Sequence, residues 1–518
     1  MLMADPRNPL PRRLRLATVD RSDAGRPALL LRATRWSLSI LRLTLIALAL
    51  PLSACSSVLT DTRSAAMDGV PAHWQSAEAL DTTDAAGTAA PPTDLAAWWL
   101  RFDDAALSDW TRRAREGNPR ALVAEAAWRQ AVAQRDVAAA ARWPSLGGDA
   151  SASRSTRGDG PGEERVQLGL SARWVPDVFG GAGLALAAAD AVVRVRRASW
   201  GDVQVQLAAE AALAYIDLRV QQLRLALARD TLASQRQTLQ ITDWRQQAGL
   251  VSALEVEQAR AAAAQTEALL PTLRTAIAQR RHALALLAGE PYIGTDADGA
   301  AEIEPGSVPT APASLALEIP AETLRQRADV RAAELEVAAA FARVGQAEAQ
   351  RWPSFALSGS IGLNALTLGA LGDTASRVSS LLAGVSLPLV DGGARRAQVR
   401  VQQAALDQAR AQHRATVLGA LREVEDALVA LQGDRGRLAA LRRAALSADR
   451  AARLAQQRFS GGLVDFQTVL QTQRTAYSAQ DAVLGARADL ARDHVQLYRA
   501  LGGGWQDAPV LVSKAADR

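Results

Sequence analysis

Two rhythms of apolar and polar positions divide this chain. Over 165–174 (RVQLGLSARW) the alternation is unbroken, with Val166, Leu168, Leu170, Ala172 and Trp174 on one face and Arg165, Gln167, Gly169, Ser171 and Arg173 on the other. The stretch FALSGSIGL sets Phe355, Leu357, Gly359, Ile361 and Leu363 against Ala356, Ser358, Ser360 and Gly362, and a later one puts Leu381, Ala383, Val385, Leu387 and Leu389 on a single face. Period 2 predicts strands with two unlike faces, at about 144–157, 165–176, 353–363 and 378–390. Elsewhere the period lengthens. Leu213, Ile216, Val220, Leu223 and Leu227 recur at spacings of 3 and 4, and Leu421, Val424, Leu428 and Leu431 repeat that rhythm, the seam of a coiled coil. The helices that carry these seams run from about 183 to 248 and from about 394 to 459, each roughly 100 Å long at 1.5 Å per residue. Shorter helices are predicted at 119–142, opened by Asn118 and Pro119 as N-cap and first position, and at 251–288, 329–351 and 464–501. Two short helices placed end to end match one long neighbour.

The pattern is written twice. RWPS at 142–145 returns at 351–354, an offset of 209; Pro176 and Pro388, like Gly180 and Gly392, differ by 212; AGLV at 248–251 and GGLV at 461–464, like Gly289 and Gly502, differ by 213. Each copy reads helix, two strands, very long helix, turn, helix. The domain organisation is therefore a first repeat at 118–290 and a second at 329–505. Between and around them lie 55–117 and 291–328, which flank the helices as a belt, and a tail at 506–518. The fold class is mainly α with a small β part.

Composition changes the picture at one end. Of the 518 residues 49% are hydrophobic but only 4% aromatic, and alanine supplies much of the difference, which suits closely packed helices better than a conventional core. The formal charge of +5 is local: residues 1–54 hold nine Arg against Asp5, Asp20 and Asp23, a net of +6, which leaves the remainder at −1. The basic balance thus gives no reason to expect a nucleic-acid partner. The same segment has an apolar run, Leu43 to Leu50, and then Leu52, Ser53 and Ala54 before the one cysteine of the chain, Cys55. That is a signal-peptide layout, with 1–54 removable. Small residues before a Cys resemble the bacterial lipobox, which implies diacylglycerol on the Cys55 thiol and an acyl chain on its new amino terminus; Ser56, in place of Asp, implies sorting to the outer membrane. A single cysteine excludes internal disulfides. No other stretch approaches the 18 or so apolar residues of a spanning helix, so any membrane crossing has to use the strands.

Period-2 strands fit a half-buried sheet or an outer-membrane sheet equally well. Helices of this length decide for the second, because they offer nowhere compact to bury four strands. Four strands cannot close, and open edges are excluded from lipid. Two chains give a filled eight-strand barrel, whereas three give twelve strands and a lumen, so a homotrimer is the economical assembly. Trp143, Trp174 and Trp352 fall at the helix side of the strands, as interface anchors among outer-membrane lipids.

The lipobox, WWLRFDD at 98–104, RQRADVRAAE at 325–334, the two strand-to-helix corners and RFSGGLVDFQTVLQTQRTAYSAQ through LYRALGGGW at 458–505 resemble the outer-membrane efflux factors of the TolC and OprM kind, in their lipoprotein, NodT-type branch. The resemblance implies a trimeric 12-stranded β-barrel continued by a 12-helix periplasmic tunnel. It further implies docking to a periplasmic membrane-fusion adaptor and an inner-membrane transporter of the resistance-nodulation-division (RND) class. Ala328 replaces the proline usual in the family's arginine motif, which leaves Asp329 as the expected cap of the next helix. By the same resemblance the periplasmic end carries the gate, and the family's acidic ring falls on Gln471. Gln467 and Arg474 share its helix face, and Glu255 and Glu257 in the other turn could supply the missing acid; solvated surface residues are the alternative. Gly249, Leu250, Val251, Ser252, Gly461, Gly462, Leu463 and Val464 form the two turns, where exposed Leu and Val point to an adaptor contact or simply to tight reversals.

Catalysis finds no support. His73, His282, His413 and His494 are scattered, no His and Cys spacing suits a metal, and GGAG at 180–183 lacks both the third glycine of a dinucleotide loop and the lysine of a P-loop. No enzyme and no cofactor beyond the Cys55 lipid is expected. The function implied is a passive duct for small molecules such as drugs. A type I protein secretion channel and a periplasmic coiled-coil scaffold lipoprotein remain as alternatives.

Overall fold

The computed structural model describes Pro71 and residues 74–77, 95–156, 158, 162–291, 306–310 and 324–506, all within the unit Ser64–Arg518. Cys55, the leader and the tail beyond residue 506 lie outside the described residues.

Among the described residues seven α-helices and four β-strands carry the fold. They are α1 (Ala105–Gly117), α2 (Pro119–Ala140), β1 (Ser145–Ser155), β2 (Glu163–Trp174), α3 (Gly181–Gln247), α4 (Ala253–Leu287), α5 (Ala328–Ala349), β3 (Ser354–Ala365), β4 (Arg377–Ser386), α6 (Ala394–Ser460) and α7 (Phe466–Ala500). The doubled sequence yields doubled lengths: α3 and α6 have 67 residues each, α4 and α7 have 35, and α2 and α5 have 22. Ile216 and Val220 of the first seam, and Val424, Leu428 and Leu431 of the second, are buried. No helix among the described residues is long and apolar enough to cross a membrane.

Short helices do meet end to end. The Asn118 side-chain amide, at the N-cap of α2, donates to the Leu287 carbonyl at the end of α4 (2.8 Å). In the second repeat the Arg327 guanidinium, at the N-cap of α5, donates to the Ala500 carbonyl at the end of α7 (2.5 Å). Each contact supplies a donor to a carbonyl that its own helix leaves open. The cap of α5 differs from the sequence expectation. The helix opens at Ala328, so Arg327 takes the cap position and Asp329 lies inside the first turn, where its carboxylate accepts from the Val330 amide (2.8 Å) and the Arg327 guanidinium (2.7 Å).

The strands form one antiparallel sheet in the order β1-β2-β3-β4, with β1 and β4 at its edges. The pairing of β2 with β3 joins the two repeats.

Candidate functional site

Register turns the alternation into two surfaces. Leu170 of β2 lies opposite Gly148 and Ile361, Ala172 opposite Leu146 and Gly359, and Gly359 opposite Leu381. Most large apolar residues of the four strands therefore share one face, with Val378 and Leu382 of β4 on the other. In the protomer that face has no cover: Leu146 is 74% exposed, Ile361 64% and Leu381 80%. The other face is mostly polar or small, apart from Val378 and Leu382. Ser145, Gly147 and Ser151 of β1 stand beside Arg173, Ser171 and Gln167, and the Ser360 and Ser380 hydroxyls are 2.8 Å apart.

The apolar face has two ends. At one, Arg154 and Glu164 form an ion pair (3.4 Å), and Arg377 stands opposite Leu363. At the other lie Trp174, the last residue of β2, and Trp143 and Trp352 in the turns before β1 and β3. All three indoles are exposed; that of Trp174 donates to the Arg142 carbonyl (3.1 Å), and that of Trp352 stacks on Phe179 (5.6 Å). Glu164 and Trp174 are ten residues apart. At 3.3 Å per residue and a tilt near 40° that distance projects to about 25 Å, the height of the apolar band on an outer-membrane barrel. Below the band, α3 and α6 open behind left-handed glycines, Gly180 (φ 75) and Gly393 (φ 87). Asp177 and Asp391 in the preceding corners accept from the first free amides, Gly183 at 2.7 Å and Gly393 at 2.9 Å.

At the opposite end of the helices the two turns are built alike. Gly249 (φ 72) and Gly462 (φ 74) take the left-handed position. Their amides donate three residues back, to Gln246 and Phe459, and the amides of Leu250 and Leu463 donate five back, to Arg245 and Arg458, all at 2.8–2.9 Å. Gly461 has φ −82, the same as its counterpart Ala248. Leu250 and Leu463 point outward at 67% and 77% exposure. Val251 and Val464 are half-buried and precede the N-caps Ser252 and Asp465, the staple position of a helix start.

Gln467, Gln471 and Arg474 lie together on the exposed face of α7, opposite the buried Phe466, Val469 and Leu470. Glu255 and Glu257 are engaged locally. The Glu255 carboxylate accepts from the Ser252 amide (2.8 Å) and closes a capping box, and Glu257 pairs with Arg260. The Thr468 hydroxyl and amide hold Asp465 below the ordinary carboxylate range.

Residues 110–290 and 319–503, the two repeats with little else, match the outer membrane efflux protein family. The chain belongs to that family. It is 34% identical over 309 residues to outer membrane protein OprJ of Pseudomonas aeruginosa, a match that covers 60% of this chain and 64% of OprJ, slightly under two thirds of that relative. It is 32% identical over 429 residues to nodulation protein T of Rhizobium leguminosarum bv. viciae, covering 81% of this chain and 86% of that protein. Among solved structures, the outer-membrane channel OprN superposes with a TM-score of 0.74 at 34% identity over 82% of this chain and 96% of OprN.

Within this outer membrane efflux protein, one cluster escaped the sequence reading of roles. Arg327, 9% exposed, binds Asp329 and Glu423 (3.0 Å) as well as Ala500. In the first repeat Asn118 holds the place of Arg327, and a more exposed ion pair, Arg120 with Glu210 (2.7 Å), lies nearby. Beside Arg327 a cavity of about 230 Å³ is lined by Asp202, Glu210, Asp329, Glu423 and Arg499. Burial, reinforced by Asp329 and opposed by Arg327, pushes the Asp202 carboxyl up to about 6. RQRADVR carried the resemblance, but nothing local in it shows that its partners lie on α6 and α7. Another such residue is Arg245, which donates to the Phe459 carbonyl (2.7 Å) and lies over the Phe459 ring (4.7 Å), tying the two tips together. Among the described residues no group of His, Cys, Asp and Glu is placed to hold a metal ion.

Proposed function

We propose that this protein is the outer-membrane component of a tripartite efflux pump, a passive duct for small molecules such as drugs. The observation that carries this reading is the uncovered apolar face, about 25 Å high by the strand geometry above, on a sheet whose two edges are open and whose strands lead into 67-residue helices. Three copies would join β4 of one protomer to β1 of the next, closing twelve strands around a lumen and continuing it with twelve helices. The polar face would then line the lumen. Cys55 would carry the diacylglycerol and N-acyl chain. A periplasmic adaptor, with Leu250 and Leu463 as its contacts, and an inner-membrane transporter of the RND class would dock at the tips, where the Gln467, Gln471 and Arg474 face would form a gate without carboxylates. No step in this reading requires chemistry on the cargo.

Three measurements test it together. The protein should fractionate with the outer membrane and run as a heat-sensitive trimer. Palmitate should label wild type and not Cys55→Ala. Deletion should sensitise the cell to small toxic molecules without affecting protein export. A water-soluble monomer would refute the proposal.

A further inference from the structure

We infer that the collar between the sheet and the helices binds anionic phospholipid headgroups, of the phosphatidylglycerol and cardiolipin class, in the leaflet nearest the helices. The inference rests on the membrane reading above.

Two kinds of residue interleave in this collar. One kind is apolar and uncovered: Trp143 and Trp352 are 75% and 59% exposed, and Leu389 and Val390, in the corner before α6, are 86% and 92% exposed. Side chains of this type at the rim of an apolar band mark a lipid interface. The other kind is cationic. Arg142 and Arg351 hold matching places in the two repeats, directly after α2 and α5 and directly before the indoles, and Arg396 lies in the first turn of α6. All three are exposed, and among the described residues none of the three guanidinium groups makes an ion pair. The nearby acids are engaged elsewhere: Asp177 and Asp391 accept from the amides that open α3 and α6, and Asp391 also faces Arg395 at 3.9 Å.

The helix dipole gives Arg142 and Arg351 a reason to sit at helix C-termini. It gives Arg396 the opposite of a reason, since a first turn disfavours a cation. An anion supplied from outside the chain accounts for all three. Against a lipid surface that anion is a phosphodiester, and each cation beside an anionic leaflet raises binding about fivefold. Charge and apolar surface at one level point to a lipid rather than to free phosphate, which would leave Leu389, Val390 and the indoles in water.

The test uses the purified full chain in nanodiscs of phosphatidylethanolamine doped with phosphatidylglycerol or phosphatidylethanolamine whose acyl chains are brominated. Bromine quenches only nearby indoles, so loss of tryptophan fluorescence reports the lipid at the collar. Brominated phosphatidylglycerol should reach half-maximal quenching at a severalfold lower mole fraction than brominated phosphatidylethanolamine, and high salt should shrink the gap. The triple variant Arg142→Gln, Arg351→Gln, Arg396→Gln should lose the preference, whereas Lys at the same three positions should keep it. A heat-stable oligomer in both variants shows that the fold survives. Equal quenching by the two lipids, a preference retained by the Gln variant, or indoles shielded from both lipids in an inserted protein would each overturn the inference. Failure to float with liposomes would instead defeat the membrane reading itself.

Discussion

Leu170 offers the sharpest test of which face meets lipid. It lies between the Arg154–Glu164 pair and Trp174, near the middle of the apolar band, with Gly148 and Ile361 beside it in the register. An arginine at the midplane of a membrane barrel raises the free energy by about 2–4 kcal/mol. In the proposed homotrimer the change occurs three times, so Leu170→Arg should destabilise the assembly by roughly 6–12 kcal/mol, comparable to the whole stability of an ordinary domain. Gln167 is three residues away on the opposite face, among Ser151, Arg165 and Ser171. Gln167→Arg should change stability by no more than about 0.5 kcal/mol, as at an ordinary water-facing position. The readouts are the yield of heat-stable oligomer in outer membranes and the urea midpoint of protein refolded into vesicles. Leu170→Arg should abolish the first and lower the second, with Gln167→Arg close to wild type. Equal effects, or the reverse order, would mean that the apolar face packs on protein, and the membrane reading would fail.

The tip turns predict opposite outcomes for adjacent glycines. Gly462→Ala forces a side chain into the left-handed region and should cost about 1–2 kcal/mol, whereas Gly461→Ala, at the backbone angles already used by Ala248, should gain about 0.4–1 kcal/mol in thermal stability. Arg327→Met leaves Asp329, Glu423 and the Ala500 carbonyl without their shared donor and should lower stability by about 2–4 kcal/mol in denaturant titration. Arg120→Met removes the exposed Arg120–Glu210 pair of the first repeat and should cost under about 1 kcal/mol. Asp202 titrates near 6 in the folded chain against an ordinary 3.8, so the folded state takes up the proton first and stability from this group falls as pH rises from about 4 to about 6. Asp202→Asn should accordingly stabilise the protein by about 2–3 kcal/mol at pH 7.5 and not at pH 4, and a pH-independent difference in thermal midpoints would contradict the assignment.

What the sequence made legible was periodic. Alternation over Val166 to Trp174 and over Phe355 to Leu363 named the apolar face, because a strand's side chains have no freedom to leave their pleat, and pairing Leu168 with Leu363 then aligned the two strands. The doubled helices were readable from the repeat: the offset of 213 between the tip turns falls on the two left-handed glycines, Gly249 and Gly462. Helix ends were less readable. The long helix α3 begins at Gly181, earlier than the apolar rhythm suggests, because Asp177 reaches in from the corner to cap it. Least legible were contacts between segments far apart in the chain. Arg327 and Ala500 are 173 residues apart and Arg245 and Phe459 are 214 apart, and no local pattern announces either bond.

The distribution of those distant bonds shows how the two hairpins are held together along their length. Midway along α3 the unit is held by an aromatic core, with Trp98 stacked on Tyr498 at 5.5 Å and Phe102, Tyr215 and Ile216 buried around them. Each large aromatic there removes some 150–250 Å² from water, about 4–6 kcal/mol at the usual 25 cal/mol per Å². Toward the tips α3 is tied to the second hairpin by Asp217 with Arg492 at 2.6 Å, Arg224 with Asp481 at 2.8 Å, Thr238 with Gln473 at 3.4 Å, and last Arg245 with the Phe459 carbonyl at 2.7 Å. At the tips a smaller cluster packs Phe459, Phe466, Val469 and Leu470 with Ala259, Ala262 and Ala455. This cluster is smaller than the aromatic core, and Arg245, which donates to the Phe459 carbonyl and lies over its ring, adds a charged contact between the two tips.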